Sequence, residues 1–355
     1  MKSYMTIAAL AVAVNAQESV RYLGRVNPAT RELTWPSSGL SFTFTGTEAS
    51  IDIESTTGAN SVELTVDGEP IVILDVDGSP ISTPVLPFGN HSVSLRKRSE
   101  AQYGTIFLGN VTSDGTIRPD TPPSRQVEII GDSISVGYGL DGVLPCTDSA
   151  AYQNNPKTYG AVAAKALGAD YTVLAWSGKG LVRNIATGNP EDEKLPLIPA
   201  LYSRYGANDA DGSYTFPESW NPNVVVINLG TNDWSYLAYN ENGSYPARDP
   251  IDPATFTAGT VDFVHSIQTH YPEAVFFLLN SPMLGDSWPT PEDAQKTTQT
   301  NAILEAIELL NDDKVHFLDW PSQGSDVGCD YHPNAATNAA EAEVLAAAIS
   351  EVLGW

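Results

Sequence analysis

A change of pattern at residues 119–124 divides this chain. Before it, short runs alternate apolar and polar side chains with a period of two; after it, wholly apolar runs alternate with helix-like segments. A period-two strand buries one face, whereas a continuously apolar strand is buried on both and needs helices on either side. The two grammars do not belong to one sheet. They predict an all-β sandwich or jelly roll over residues 17–118, a linker over 119–124, and an α/β domain with a parallel sheet over 125–355.

In the first half, period-two strands are expected at 40–44, 49–54 and 61–66, with further strands at 71–74, 91–96 and 105–108. Asp67-Gly68 between two of them is a hairpin signal. Pro119-Asp120-Thr121-Pro122-Pro123-Ser124 reads as an extended spacer. In the second half the pattern predicts strands at 126–130, 171–176, 223–229, 274–279 and 314–318. Helices are expected at 157–167, 253–270, 292–310 and 335–353. In open α/β sheets, ligands bind beyond the carboxyl ends of the strands. Asp132-Ser133, Ser177-Gly178 and Thr231-Asn232-Asp233 each lie just past such an end, so they should converge in space.

Acidic residues outnumber basic ones 43 to 18, giving a formal net charge of −25. That balance argues against nucleic acid or an anionic membrane as a partner and fits a neutral substrate. Lys2, the apolar run 7–14 and the small-residue site Val14-Asn15-Ala16 read as a signal peptide over 1–16. The run is too short to span a bilayer, so the chain is expected to be secreted, and as a monomer. In an oxidising compartment Cys146 and Cys329 most simply form one disulfide. Asn90, Asn110 and Asn242 head sequons that become glycosylation sites in a eukaryotic host.

Val127-Glu128-Ile129-Ile130 stops at Gly131-Asp132-Ser133. A Ser delivered at the end of a buried strand, opening a helical turn, is well placed as a nucleophile. It needs a base. His265, His270 and His316 fall inside predicted elements, whereas His332 lies in a loop just before the last helix and can be aimed at the strand ends. Asp330 is the nearest carboxylate; in an extended backbone, residues two apart point the same way, so it could orient His332. The Ser133 N–H, the Gly178 N–H and the Asn232 amide are the candidate oxyanion donors.

The blocks Gly131-Asp132-Ser133-Ile134-Ser135, Ser177-Gly178, Gly230-Thr231-Asn232-Asp233 and Asp330-Tyr331-His332-Pro333 resemble those of the SGNH (GDSL-type) hydrolases, in order and at strand ends. The resemblance implies a flavodoxin-like sheet, with Ser133 as nucleophile, Gly178 and Asn232 as oxyanion donors and His332 as base. The whole chain is similar to the family 2 carbohydrate esterases, which join a β jelly roll to an SGNH domain. That implies removal of acetyl groups from acetylated xylan or glucomannan, without metal or organic cofactor. The general SGNH pattern puts Asp three residues before His, but Cys329 stands there and Asp330 is only two before. In the esterase group either a carboxylate or backbone carbonyls orient the His, and both remain open here. A Cys146–Cys329 bond would tether the loop after the nucleophile to the His loop.

Trp234, after the Asn block, and Trp288, in the loop 284–289, are the candidate sugar platforms, with rim or core packing the alternative for each. Two other functions fit parts of the pattern. A GDSL lipase or short-chain esterase would favour longer acyl chains. A carbohydrate-binding protein with an inert hydrolase domain would survive loss of Ser133 with its activity unaltered.

Overall fold

A computed structural model of the chain describes residues 19–324 and 327–355; the expected signal peptide at 1–16 lies outside them. The first half is a sandwich of two antiparallel sheets. One sheet orders its strands Arg21–Leu23, Gly39–Gly46, Gly89–Lys97, Val62–Val66 and Glu69–Ile73, with Thr116–Arg118 also pairing Gly39–Gly46. The other orders them Glu32–Leu33, Gly104–Ser113, Ala49–Gly58 and Ile81–Ser82. The period-two residues Leu40, Phe42, Phe44, Ile51, Ile53, Leu64, Val93, Leu95, Ile106 and Leu108 point inward and form one core. Asp67 and Gly68 take φ of 51° and 89° between two paired strands, the geometry a two-residue primed turn requires.

The second half is a five-stranded, all-parallel sheet in the order Asp170–Ala175, Gln126–Gly131, Val224–Asn228, Val275–Leu279, Val315–Leu318. Alternate residues of these strands feed two cores. Ile130, Leu174, Val225, Ile227, Phe276 and Leu278 pack with residues of the helices Pro253–Gln268 and Gln295–Leu310. Val127, Ile129, Val173, Val226 and Phe277 pack with residues of Tyr159–Ala166 and Ala335–Leu353. Burial on both faces is why these strands lack the period-two signature. The chain leaves the strand Gln126–Gly131 toward one edge, at Asp170–Ala175, and later returns on its other side as Val224–Asn228. That reversal opens a crevice at the carboxyl ends of the strands.

Element bounds differ from expectation in both halves. The strands expected at 105–108 and 49–54 run on to Ser113 and Gly58, and the short strands Arg21–Leu23, Glu32–Leu33, Ile81–Ser82 and Thr116–Arg118 were not expected. The helix expected from 292 begins at Gln295. Ala294 is left-handed (φ 40°), and the Asp293 carboxylate accepts bonds from Thr290 and Tyr236, which makes a turn of the preceding residues. A hairpin, Leu237–Asn240 with Gly243–Pro246, was not expected.

The halves are not beads on a string. Residues 119–123 form no regular element, yet Asp120 is held by Arg21 and Ser41. Trp35 and Ala101 of the sandwich belong to the core of the α/β half. Arg25 reaches Glu128 on the strand Gln126–Gly131 at 2.8 Å, the two side chains being 1% and 0% exposed. The Arg25 guanidinium also lies over the Tyr202 and Tyr214 rings, and the Tyr202 hydroxyl donates to the second Glu128 oxygen at 2.9 Å. Removing one member of a buried pair strands the other in low dielectric. Arg25→Met should therefore cost about 3–5 kcal/mol of unfolding free energy, read from urea denaturation. A loss under about 1 kcal/mol, the scale of an exposed pair, would show that Glu128 does not need its cation.

Candidate active site

The turn after the strand Gln126–Gly131 is shaped by what cannot fit there. A Cβ at Gly131 would lie 2.0 Å from the Ser135 hydroxyl and 2.9 Å from the Asn228 carbonyl. Only glycine lets the strand end this close to its neighbour. Asp132 then caps the one-turn helix Ser133–Val136, its carboxylate accepting the Ile134 N–H at 3.0 Å, and Gly137 closes the turn in the left-handed region. Ser133 is the first helical residue, so its own N–H has no intrahelical partner. Its side chain is buried at the crevice floor, 5% exposed.

His332 Nε2 lies 2.8 Å from Ser133 Oγ. The other ring nitrogen, Nδ1, faces the backbone carbonyl of Asp330 at 3.0 Å. A carbonyl can only accept, so Nδ1 carries the proton and Nε2 presents its lone pair to the serine hydroxyl. Tyr138 stacks on the imidazole with centroids 4.0 Å apart. Burial pushes His332 well below its ordinary range, to about 4; the Asp330 carbonyl opposes this only in part. The ring is therefore neutral, as a base must be.

The expected contact between the Asp330 carboxylate and His332 is not made. Asp330 and Tyr331 are both left-handed, with φ of 47° and 67°, so the backbone turns where an extended one was anticipated. The turn brings the Asp330 carbonyl under the imidazole and sends its carboxylate away. That carboxylate accepts from the Tyr138 hydroxyl at 3.0 Å and the Asp148 N–H at 3.2 Å. Cys146 and Cys329 are bonded, with Cα atoms 5.0 Å apart. The disulfide and the Asp330 carboxylate thus fasten the same two loops together.

The other two strand ends converge on the crevice. Gly178 is left-handed, with φ of 79°, in the turn after Asp170–Ala175. Asn232 sits in the one-turn helix Thr231–Trp234; its side-chain amide donates to the Lys179 carbonyl at 2.8 Å and approaches Asp132 Oδ2 at 3.3 Å. A Cβ on Gly230 would meet the Gln299 amide at 2.3 Å, so glycine is needed here too. The loops are tied by a residue given no role at the sequence level. Asp233, fully buried, accepts the N–H groups of Leu181, Val182 and Arg183 at 2.7–3.0 Å. An acid just beyond an apolar strand was its only sequence signal. Asp132 is likewise fully buried, and burial pushes its carboxyl up to about 7.

Trp234 is not a platform. Residues two apart on a helix point about 200° from each other, so with Asn232 toward the crevice, Trp234 enters the core. It is 3% exposed and packs edge-on against Phe256. Trp288 is 56% exposed in the loop following Val275–Leu279, and Tyr331, beside His332, is 63% exposed. His270 stacks on Phe216 and His316 packs near Phe277. Asn90, Asn110 and Asn242 are all exposed.

Residues 22–123 match the carbohydrate esterase 2 N-terminal family, and residues 129–340 match the GDSL-like lipase/acylhydrolase family. A crystal structure of a carbohydrate esterase family 2 enzyme plus carbohydrate-binding domain from Corynascus thermopiles (Myceliophthora fergusii) superposes with a TM-score of 0.89. It is 65% identical, and 95% of this chain and 100% of that one are covered. An acetylxylan esterase / glucomannan deacetylase of Cellvibrio japonicus is 32% identical over 318 residues, 87% of this chain and 82% of that protein. The cellulase/esterase CelE of Acetivibrio thermocellus is 32% identical over 95% of this chain, which spans only 40% of CelE's length. The chain belongs to carbohydrate esterase family 2, with a GDSL-type hydrolase domain behind the family's N-terminal domain.

Proposed function

We propose that this esterase is secreted and removes O-acetyl groups from plant cell-wall polysaccharides such as acetylated xylan or glucomannan. The observation that carries the reading is the Ser133 Oγ to His332 Nε2 contact at 2.8 Å, with Nδ1 engaged by a carbonyl. Ser133 attacks the acetyl carbonyl while His332 takes its proton. Negative charge builds on the carbonyl oxygen, which takes the N–H groups of Ser133 and Gly178 and one proton of the Asn232 amide, freed when that amide releases its 3.3 Å bond to Asp132 Oδ2. His332 returns the proton to the sugar oxygen as the C–O bond breaks, leaving an acetyl-Ser133 ester. Water, deprotonated by His332, then releases acetate. The exposed Trp288 offers a ring face to a sugar. The substrate class rests on the activity of the Cellvibrio relative. Secretion is supported by the disulfide; among the described residues, no helix is long and apolar enough to cross a membrane.

Ser133→Ala should cut acetate release from acetylated xylan by at least about 10³-fold, measured by an acetate assay; unchanged release would sink the mechanism. Aryl acetate should be cleaved faster than aryl butyrate, and the reverse preference would point to a lipase.

Asp330→Asn keeps both the backbone carbonyl and a side-chain acceptor, and Asn tolerates the left-handed turn. Its kcat should fall less than about tenfold. A loss near 10⁴, the scale seen when an orienting carboxylate is removed, would mean that the carboxylate itself holds His332.

His332 must be neutral to act, so activity is present above its pKa and lost as pH falls through it. Burial places that pKa near about 4, so kcat/KM on an aryl acetate should hold at pH 5.5. An acid limb centred at or above about 6.5, the unperturbed value, would contradict the burial.

A further inference from the structure

We propose that Glu100, a residue of the sandwich, is a positioning residue for the oxyanion donor at Gly178; this rests on the role given to Gly178 above. Glu100 lies in the run Lys97-Arg98-Ser99-Glu100, four consecutive polar side chains that are each 0% exposed. Such a run reads as surface in a sequence. Here it is driven into the α/β half, where each of the three charged side chains finds hydrogen-bond partners, Arg98 Nε alone being left without one. Lys97 donates to the Ser99 and Glu100 carbonyls, Arg98 to Asp141 and to the Ala151 carbonyl. The Glu100 N–H donates to Gln153 Oε1 at 2.7 Å.

The Glu100 carboxylate faces only donors. Oε2 accepts the Ser177 N–H at 2.7 Å, and Oε1 accepts the Ser177 hydroxyl at 2.6 Å. Oε1 also accepts amide protons from Gln153 at 2.7 Å and Gln102 at 2.6 Å. Burial raises this carboxyl, and the Ser177 bonds oppose the rise. Four short bonds to one carboxyl in a dry site hold it and its donors firmly. Both groups of Ser177 are thus pinned, and the next residue is Gly178. Gly178 stands at the third position of a turn closed by the Lys179 N–H on the Trp176 carbonyl at 3.2 Å, and its own carbonyl accepts the Ile185 N–H at 2.8 Å. Glu100 adds the side-chain restraint: it holds Ser177, the residue before, by both its N–H and its hydroxyl, and so fixes the frame from which the Gly178 N–H projects.

The same carboxylate reaches the other half of the site. Gln153, held by Glu100 Oε1, also donates to Asp148 Oδ2 at 2.7 Å, and the Asp148 N–H bonds the Asp330 carboxylate. Asp148 Oδ1 accepts the Gly139 N–H at 2.7 Å. One side chain from the sandwich therefore braces both the Gly178 turn and the loop that faces His332.

The test compares kinetics on 4-nitrophenyl acetate with affinity for phenylboronic acid, whose Ser133 adduct places a boronate oxygen where the oxyanion forms. Glu100→Ala should lower kcat by roughly 10–100-fold, toward the cost of losing one oxyanion donor, with KM within about twofold. Boronate affinity should fall by a similar factor. Glu100→Gln keeps an acceptor for the Ser177 N–H and should recover most of kcat. A folded Glu100→Ala with wild-type kcat, or with reduced kcat but unchanged boronate affinity, overturns the proposal. Should Glu100→Ala fail to fold, Ser177→Ala decides, since it removes one of the two bonds and leaves the domains joined; unchanged kcat there overturns it equally. If wild type turns over the ester and Ser133→Ala does so equally well, the active site itself is misassigned, and Glu100's role falls with it.

Discussion

Burial of the parallel sheet on both faces is the constraint from which the rest follows. Val224–Asn228 and Asp170–Ala175 are inaccessible along their whole length, so no side chain within them can meet a substrate. Chemistry is left to the loops, and the strand order brings three of these loops to one crevice. Each loop starts with a sharp turn. Gly131 and Gly230 permit close approach, and Gly178 permits the left-handed bend. The reactive groups sit at the rim of something rigid, which is what keeps a hydroxyl and an imidazole at hydrogen-bond distance without substrate.

Rigidity has a second source in the sandwich. Beside the bonds from Glu100 to Ser177, two ion pairs cross the junction: Arg25 with Glu128, buried on both sides, and Arg98 with Asp141, buried on the arginine side. Ion pairs of this kind contribute little net stability compared with apolar packing. They do fix the alignment, because a small slip leaves a buried charge unanswered. Trp35, inserted into the core of the α/β half and bonded through its indole N–H to the Tyr205 carbonyl, acts in the same sense through shape. The catalytic half is thus completed by residues from outside it.

Much of this was legible. The change of period located both folds, and the terminal helix is found over the residues expected, 335–353. Ser133 and His332 could be found because a strand end and a pre-helix loop are recognisable in one dimension. Asp330 and Trp234 could not be read correctly, for a common reason: both depended on where a side chain points within a short turn. Two left-handed residues reversed the first, and two steps along one helical turn reversed the second. Asp233 could be placed near the site but not given a task, because its partners are backbone N–H groups, which every sequence contains. Glu100 was missed because its partners lie in the other half of the chain, 53 and 77 residues away.

The Cys146–Cys329 bond joins positions 183 residues apart, next to Asp148 and Asp330, which hold the same two loops by weaker bonds. The sheet does not require it; the placement of the imidazole does. A chain folded in a reducing cytosol would build its strands and both cores, yet hold its base on a loop anchored only by hydrogen bonds. The covalent bond makes the position of the imidazole independent of how well those weaker bonds compete with water.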